Sequence, residues 1–242
     1  ERRMVNQLHF GGGTPTYLTV EEFSIILDAL DRTFRYSDDC EKSIEIDPRV
    51  TTPEQFAFLA ARGFNRVSLG VQDFDPAVQE AVGRIQRYDL VKGVVEQCRT
   101  LSFKGLNIDL IYGLPKQTAA TFAETIGKAI SLRPDRVALY SFAFLPQRMV
   151  NQRKINPEDL PVTETKYRLF ATAVEMFTGA GYRQIGMDHF ALPEDELARA
   201  QARGRLHRNF MGYTVKTSPD MIGLGMSRSE ERRVGKECRS RW

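Results

Sequence analysis

The chain has 242 residues, 42% of them hydrophobic and 27% charged, proportions that suit one large or two small globular domains. Its formal net charge of +3 resides in residues 228–242, so residues 1–227 are neutral and lack the basic footprint that nucleic acid requires. No apolar run reaches the roughly 18 residues of a membrane-spanning helix; Cys40, Cys98 and Cys238 are scattered, without CxxC or CxxxCxxC spacing, which argues against a disulfide framework and against a zinc or iron–sulfur centre built from this chain alone.

The chain begins Glu1-Arg2-Arg3-Met4 with no signal peptide and leads straight into a strand that ends at Leu8-His9-Phe10; an opening so close to a core strand is expected of a cut chain. Gly11-Gly12-Gly13-Thr14-Pro15-Thr16 follows. Three consecutive glycines have no packing value in a strand but suit a tight turn or a close approach of ligand to backbone. Thr19-Val20-Glu21-Glu22 is a capping box, and Val20, Phe23, Ile26, Leu27, Leu30 and Phe34 recur at helical spacing. A strand is expected at Ser43–Asp47, stopped by Pro48, and a helix from Thr52-Pro53 to about Gly63. A strand at Val67–Gln72, a short helix opened by Asp75-Pro76 and a longer helix over about 89–101 come next, with Cys98 on that helix's apolar stripe as a core residue. Strand 106–112, the loop Gly113-Leu114-Pro115-Lys116-Gln117-Thr118, helix 119–132, strand 136–141, a polar connection from Pro146 to Pro161, helix 164–180, a strand at 182–186 and helix 194–203 complete the pattern.

This alternation predicts an α/β fold: parallel strands joined by right-handed crossovers, a partial (β/α) barrel over residues 1–186, followed by the start of a second region at 187–227. Residues 228–242 break in after an apolar-glycine strand pattern, have no period and hold the only Trp; they are expected to be foreign to the fold and disordered.

Three strands carry polar residues at alternate positions. Ser43, Glu45 and Asp47 share one face; so do Ser68, Gly70 and Gln72, and likewise Asn107 and Asp109. In a helix-wrapped barrel the apolar set faces the helices and the polar set faces inward, where closed barrels normally stack branched apolar side chains. Inward carboxylates near strand C-termini point to a wet cavity that holds a ligand.

The set GGGTPT, SIEIDP, RVSLGVQDFD, GRIQ, NIDLIYGLPKQT, IGMDHFALPEDEL and LHRNFMGYT, in this order and spacing, resembles the oxygen-independent coproporphyrinogen III oxidases, a family of radical S-adenosylmethionine enzymes, over nearly all of residues 5–227. The resemblance implies a three-quarter, TIM-like barrel, here lacking its first strand. It also implies a [4Fe–4S] cluster, two bound S-adenosylmethionine molecules and oxidative decarboxylation of coproporphyrinogen III in haem biosynthesis. By the same resemblance the enzyme is a cytoplasmic monomer that draws on an unidentified electron donor and involves no nucleic acid or membrane. Carried over by motif, Gly12, Gly13, Thr14, Glu45, Gln72, Arg84, Asp109 and Ala143 match cofactor-binding positions; no catalytic residue and no metal ligand is assigned. Carboxylates would accept from the ammonium group or ribose hydroxyls, and Arg84 would clamp the methionyl carboxylate. Two departures stand out: the CxxxCxxC that the family places on its first strand is absent, so the chain by itself is expected to be a fragment without activity, and Met211 stands where the family has an amide. The related radical S-adenosylmethionine haem chaperones share the glycine and GLP loops and are the nearest alternative. A non-catalytic barrel that binds a small molecule is the other.

Overall fold

The structure, a computed structural model, describes residues 2–209, 212–216 and 220–225. The expectations for residues 228–242 and for Met211 lie outside the described residues.

In chain order the elements are β1 (Arg3–Phe10), α1 (Val20–Thr33), β2 (Phe34–Ile46), α2 (Pro53–Ala61), β3 (Arg66–Gln72), α3 (Pro76–Ala81), α4 (Tyr88–Thr100) and β4 (Gly105–Tyr112). Then come α5 (Ala119–Ser131), β5 (Arg136–Ser141), α6 (Thr163–Gly179), β6 (Arg183–Ile185), β7 (His189–Ala191), α7 (Glu196–Ala202), β8 (His207–Asn209) and β9 (Gly212–Thr214). The expected polar connection contains two short 3-10 turns, Val150–Lys154 and Pro157–Asp159.

Local chemistry sets the helix starts. Thr19 accepts from the Glu22 N–H at 3.2 Å while Glu22 accepts from the Thr19 N–H at 2.8 Å, and Thr52 and Gln55 repeat the reciprocal arrangement at α2. Such caps are worth about 1 kcal/mol each.

Seven strands form one open sheet in the order β1-β2-β3-β4-β5-β7-β6. β1 to β5 are parallel, as the βα alternation predicts. The end of the sheet corrects that expectation: β7 runs antiparallel to both β5 and β6. The reason is local. Gly186, at φ +60°, lets the chain reverse within residues 186–188, a connection far too short for the dozen or so residues a parallel crossover needs. The sheet therefore extends past residue 186, with β7 between β5 and β6.

Ile44, Ile46, Leu69, Ile108, Leu110 and Leu139 are buried against Phe23, Leu27, Phe56, Phe122 and Phe177 of the helical layer. The polar positions of the same strands line the other, concave face. Its floor, at the strand starts, is an ion network: Arg66 meets Glu41 at 2.7 Å and Glu196 at 2.5 Å, and Arg136 meets Asp195 and Glu196, each at 3.0 Å. This network ties α7 beneath β3 and β5. Gly105 makes room for it, since a Cβ there would collide with the Arg66 guanidinium.

The β8–β9 hairpin bridges the two ends of the sheet. The Met187 N–H donates to the Tyr213 hydroxyl at 3.2 Å, Gln7 Nε2 donates to Thr214 Oγ1 at 3.1 Å, and Lys216 Nζ pairs with Asp39 at 2.6 Å.

Candidate functional site

The candidate residues gather at the C-terminal ends of the parallel strands, where βα folds place their sites. Gly12 and Gly13, at φ +75° and +60°, take left-handed conformations that let the loop after β1 fold back over the strand ends. The Gly12 N–H donates to Glu45 Oε2 at 3.2 Å. Glu45 Oε1 lies 3.5 Å from His9 Nε2, and His9 Nδ1 is 2.8 Å from Ser43 Oγ. The His9 hydrogen bond holds the Glu45 carboxyl below its usual range against the opposing pull of burial, so this carboxylate is charged at neutral pH. Thr14 is half-buried and caps the following turn through its backbone position, without a side-chain hydrogen bond.

One strand pair further on, Asp109 accepts from Ser68 Oγ at 3.1 Å and from Asn107 Nδ2 at 2.7 Å; Asn107 Nδ2 also donates to Ser68 Oγ at 2.8 Å. Burial pushes the Asp109 carboxyl up to about 6, with the Glu45 charge adding to the rise and these hydrogen bonds only partly offsetting it. Among the described residues no ion pair neutralises Asp109 within salt-bridge distance. A buried carboxylate of this kind is a candidate for a functional role.

Arg84, between α3 and α4, donates from Nη2 to the Gly70 carbonyl at 2.7 Å, while Nη1 lies 3.5 Å from Asp47. Burial lowers its pKa, and the Asp47 charge opposes the fall. Burial also pulls the Asp47 carboxyl up, but the bidentate Arg49 fork and the Arg84 charge outweigh it and hold the group low. Gln72 ends β3 at φ +68°, a left-handed conformation costly for a non-glycine residue. Ala143, two residues beyond β5, is exposed, and its carbonyl accepts from Gln152 Nε2 at 3.0 Å.

The structure thus brings Glu45, Gln72 and Asp109 to the ends of adjoining strands, where Gly12 of the loop after β1 meets Glu45 and Arg84 of the α3–α4 connection reaches the Gly70 carbonyl; Gly13 and Thr14 lie on the loop after β1, and Ala143 on the loop after β5. Three of the site's polar atoms are buried and have no hydrogen-bond partner among the described residues: Gln72 Oε1, Arg84 Nε and Asn107 Oδ1. Two acceptors and one donor left in this state cost free energy unless a polar ligand meets them. S-adenosylmethionine, with an ammonium group, a carboxylate and ribose hydroxyls, supplies the complementary set. A [4Fe–4S] cluster does not fit the residues present. Cys40 and Cys98 are buried in β2 and α4, and no group of three or more His, Cys, Asp or Glu among the described residues is placed to hold a metal.

Three polar residues beside the site escaped the sequence reading. His9 shares an inward register with Gln7, opposite Leu8 and Phe10, which pack on the core; strand alternation alone could have found it. Tyr140 and His189 face each other edge to face, with ring centroids 6.1 Å apart, and His189 Nδ1 lies 2.7 Å from Asp188 Oδ1.

Residues 1–129 match the family described as the Radical SAM superfamily. The chain is 48% identical over 227 residues to the oxygen-independent coproporphyrinogen III oxidase of Pseudomonas aeruginosa, an alignment covering 93% of this chain and 49% of that protein. It is 46% identical to the Escherichia coli (strain K12) protein of the same description, again over 93% of this chain and 49% of the relative. The solved structure of coproporphyrinogen III oxidase from Escherichia coli, described as a radical SAM enzyme, superposes with a TM-score of 0.90 at 46% identity, covering 93% of this chain and 52% of that one. The chain spans about half the length of the curated relatives it matches.

Proposed function

The chain belongs to the radical SAM superfamily, and from that premise we propose that it serves an oxygen-independent coproporphyrinogen III oxidase: S-adenosylmethionine-dependent oxidative decarboxylation of two propionate side chains of coproporphyrinogen III to vinyl groups, giving protoporphyrinogen IX. The observation that carries this reading is the identity of 46–48% to such oxidases across nine-tenths of the chain. It favours the oxidases over the haem chaperones.

S-adenosylmethionine, when bound, supplies the oxidising radical chemistry of the superfamily. The chain's own residues hold and orient it. Glu45, kept ionised by His9 and the Gly12 N–H, accepts from the ammonium group. Arg84 offers its free Nε–H to the methionyl carboxylate, its other nitrogens being fixed by Gly70 and Asp47. Asp109, Asn107 and Gln72 offer acceptors to the ribose hydroxyls. A second cofactor molecule, an external electron donor, a monomeric state and a cytoplasmic setting complete the proposal. No helix among the described residues is long and apolar enough to cross a membrane.

The test is a chimera in which residues 5–225 replace the corresponding segment of the Escherichia coli oxidase. Anaerobic conversion of coproporphyrinogen III to protoporphyrinogen IX is expected. A folded, cluster-bearing chimera that cleaves S-adenosylmethionine but leaves coproporphyrinogen III intact would refute the substrate.

A further inference from the structure

Beyond Ala143 runs a segment that cofactor binding leaves unexplained. Residues 142–156 contain Arg148, Arg153 and Lys154 and no acidic residue. The segment is held mostly by its own polar groups. Gln152 Nε2 donates to the Ala143 carbonyl at 3.0 Å and Gln152 Oε1 accepts from the Leu145 N–H at 2.6 Å; Arg153 Nε donates to the Pro146 carbonyl at 3.2 Å, and Lys166 Nζ to that of Phe142 at 2.9 Å. With those groups turned inward, the apolar side chains are left outside. Leu145 is 46% exposed, Met149 47% and Val150 67%, next to the Phe142–Phe144 ring pair at 6.5 Å. A loop fixed by hydrogen bonds that presents apolar side chains to water is built to meet something apolar, and does so with little ordering cost.

We propose that this loop seats the substrate's macrocycle, the flat apolar body lying on Leu145, Met149 and Val150 and its propionate carboxylates meeting Arg148, Arg153 and Lys154. The occupant follows from charge: an apolar patch on a segment with three cations, none of them in an ion pair among the described residues, matches a planar, apolar polycarboxylate. The position follows from the chain: the patch starts next to Ala143, at the rim of the cofactor site, where a reacting propionate has to reach. This inference rests on the function proposed above and names the residues that read its substrate.

The probe is coproporphyrin III, the stable oxidised form of the macrocycle, titrated by fluorescence into the S-adenosylmethionine-saturated chain, with its uncharged tetramethyl ester as a control. The Met149→Ser/Val150→Ser protein is expected to bind both porphyrins about tenfold more weakly. Arg148→Gln is expected to weaken the tetracarboxylate about three- to tenfold and leave the ester unchanged. All three positions are exposed, so melting temperature and calorimetric S-adenosylmethionine affinity should stay at the parent's values. If the parent binds coproporphyrin III and both variants bind it equally well, the loop is not the seat, while the function proposed above survives. A parent that binds S-adenosylmethionine but no porphyrin removes the proposed substrate and this inference together. Should the double variant instead change the sedimentation of the chain and not its porphyrin affinity, the patch is a contact between copies and the proposal is overturned.

Discussion

Nε2 of His9 stands 3.5 Å from Oε1 of Glu45, and the other nitrogen of the same ring meets Ser43 Oγ at 2.8 Å. A strand residue of β1 thus holds the carboxylate of β2 in place under the glycine loop. The loop adds its own Gly12 N–H, so strand, carboxylate and turn form one unit.

That unit has a pH signature. The folded-state pKa of Glu45 lies below its ordinary 4.5, with the His9 hydrogen bond as the main cause. A depressed carboxyl contributes stability above its unfolded pKa and loses it as pH falls through the folded value. Glu45→Gln should therefore lower the urea unfolding free energy at pH 7, by less than about 1 kcal/mol because solvent screens a half-exposed pair. At pH 3 the gap should shrink. A difference that stays constant across this range would assign the effect to packing instead.

Asp109 has the opposite sign. Its pKa rises from 3.8 to about 6 on folding, so the protein is relatively more stable where the group is protonated, below 3.8, and loses that contribution as pH rises through 6. At pH 8 the ionised, buried group costs up to about 3 kcal/mol, the equivalent of the shift. Asp109→Asn should gain stability over the parent at pH 8 and none at pH 3, while S-adenosylmethionine affinity falls roughly ten- to a hundredfold with the lost charge-assisted bonds. Unfolding curves at the two pH values and calorimetry on the same protein read both effects. A loss of stability at pH 8 with unchanged affinity would make Asp109 a structural residue.

Gly186 has two reasons to be glycine: its φ of +60° and the Tyr213 hydroxyl, which occupies the space a Cβ would take. Gly186→Ala should destabilise the protein by about 1–3 kcal/mol and release the β8–β9 hairpin. In a Tyr213→Ala background the same Gly186→Ala change should cost less than it does in the parent, since the collision is gone and only the backbone strain remains. Limited proteolysis around residues 204–212 is the readout, and a hairpin as protected in Gly186→Ala as in the parent would contradict the cradle.

The thiols give a fourth prediction. Cys98 is 1% exposed and its thiol is pushed up to about 12 by burial; Cys40 is 8% exposed and also raised. In a Cys238→Ser protein neither should react with an aromatic disulfide reagent until urea unfolds the chain. Anaerobic iron and sulfide should likewise leave no stoichiometric four-iron absorption. Rapid labelling of a native thiol would show that β2 or α4 opens.

Much of this architecture was legible in the sequence because its signals are local. Thr19 with Glu22 and Thr52 with Gln55 announce helix starts, and the alternation of Ser68, Gly70 and Gln72 against Val67, Leu69 and Val71 states which face is wet. The spacing also put Glu45 and Asp109 on the same concave side. What escaped notice depends on distant partners. β7 has three residues, too few for a periodic pattern, and its direction follows from one glycine. Residues 34–42 carry a mixed pattern, Phe-Arg-Tyr-Ser-Asp-Asp-Cys-Glu-Lys, and extend β2 only because β1 pairs with them. The Arg66 and Arg136 network joins groups up to 130 positions apart in sequence, where composition sees only unremarkable charge.

The antiparallel end of the sheet also sets an order of assembly. β1 to β5 can be laid down one crossover at a time, each strand pairing with its predecessor. Among the described residues β6 pairs with the sheet only through β7, and β7 reaches β5 by pairing Arg136 with Ala191, the longest loop closure among the described pairings. Long closures are made late, after local pairs have formed. The β6–β7 pair, with α7 and the hairpin it anchors, therefore joins last and opens first. In native-state hydrogen exchange it should form a separate, earlier-exchanging unit than the β2–β4 centre.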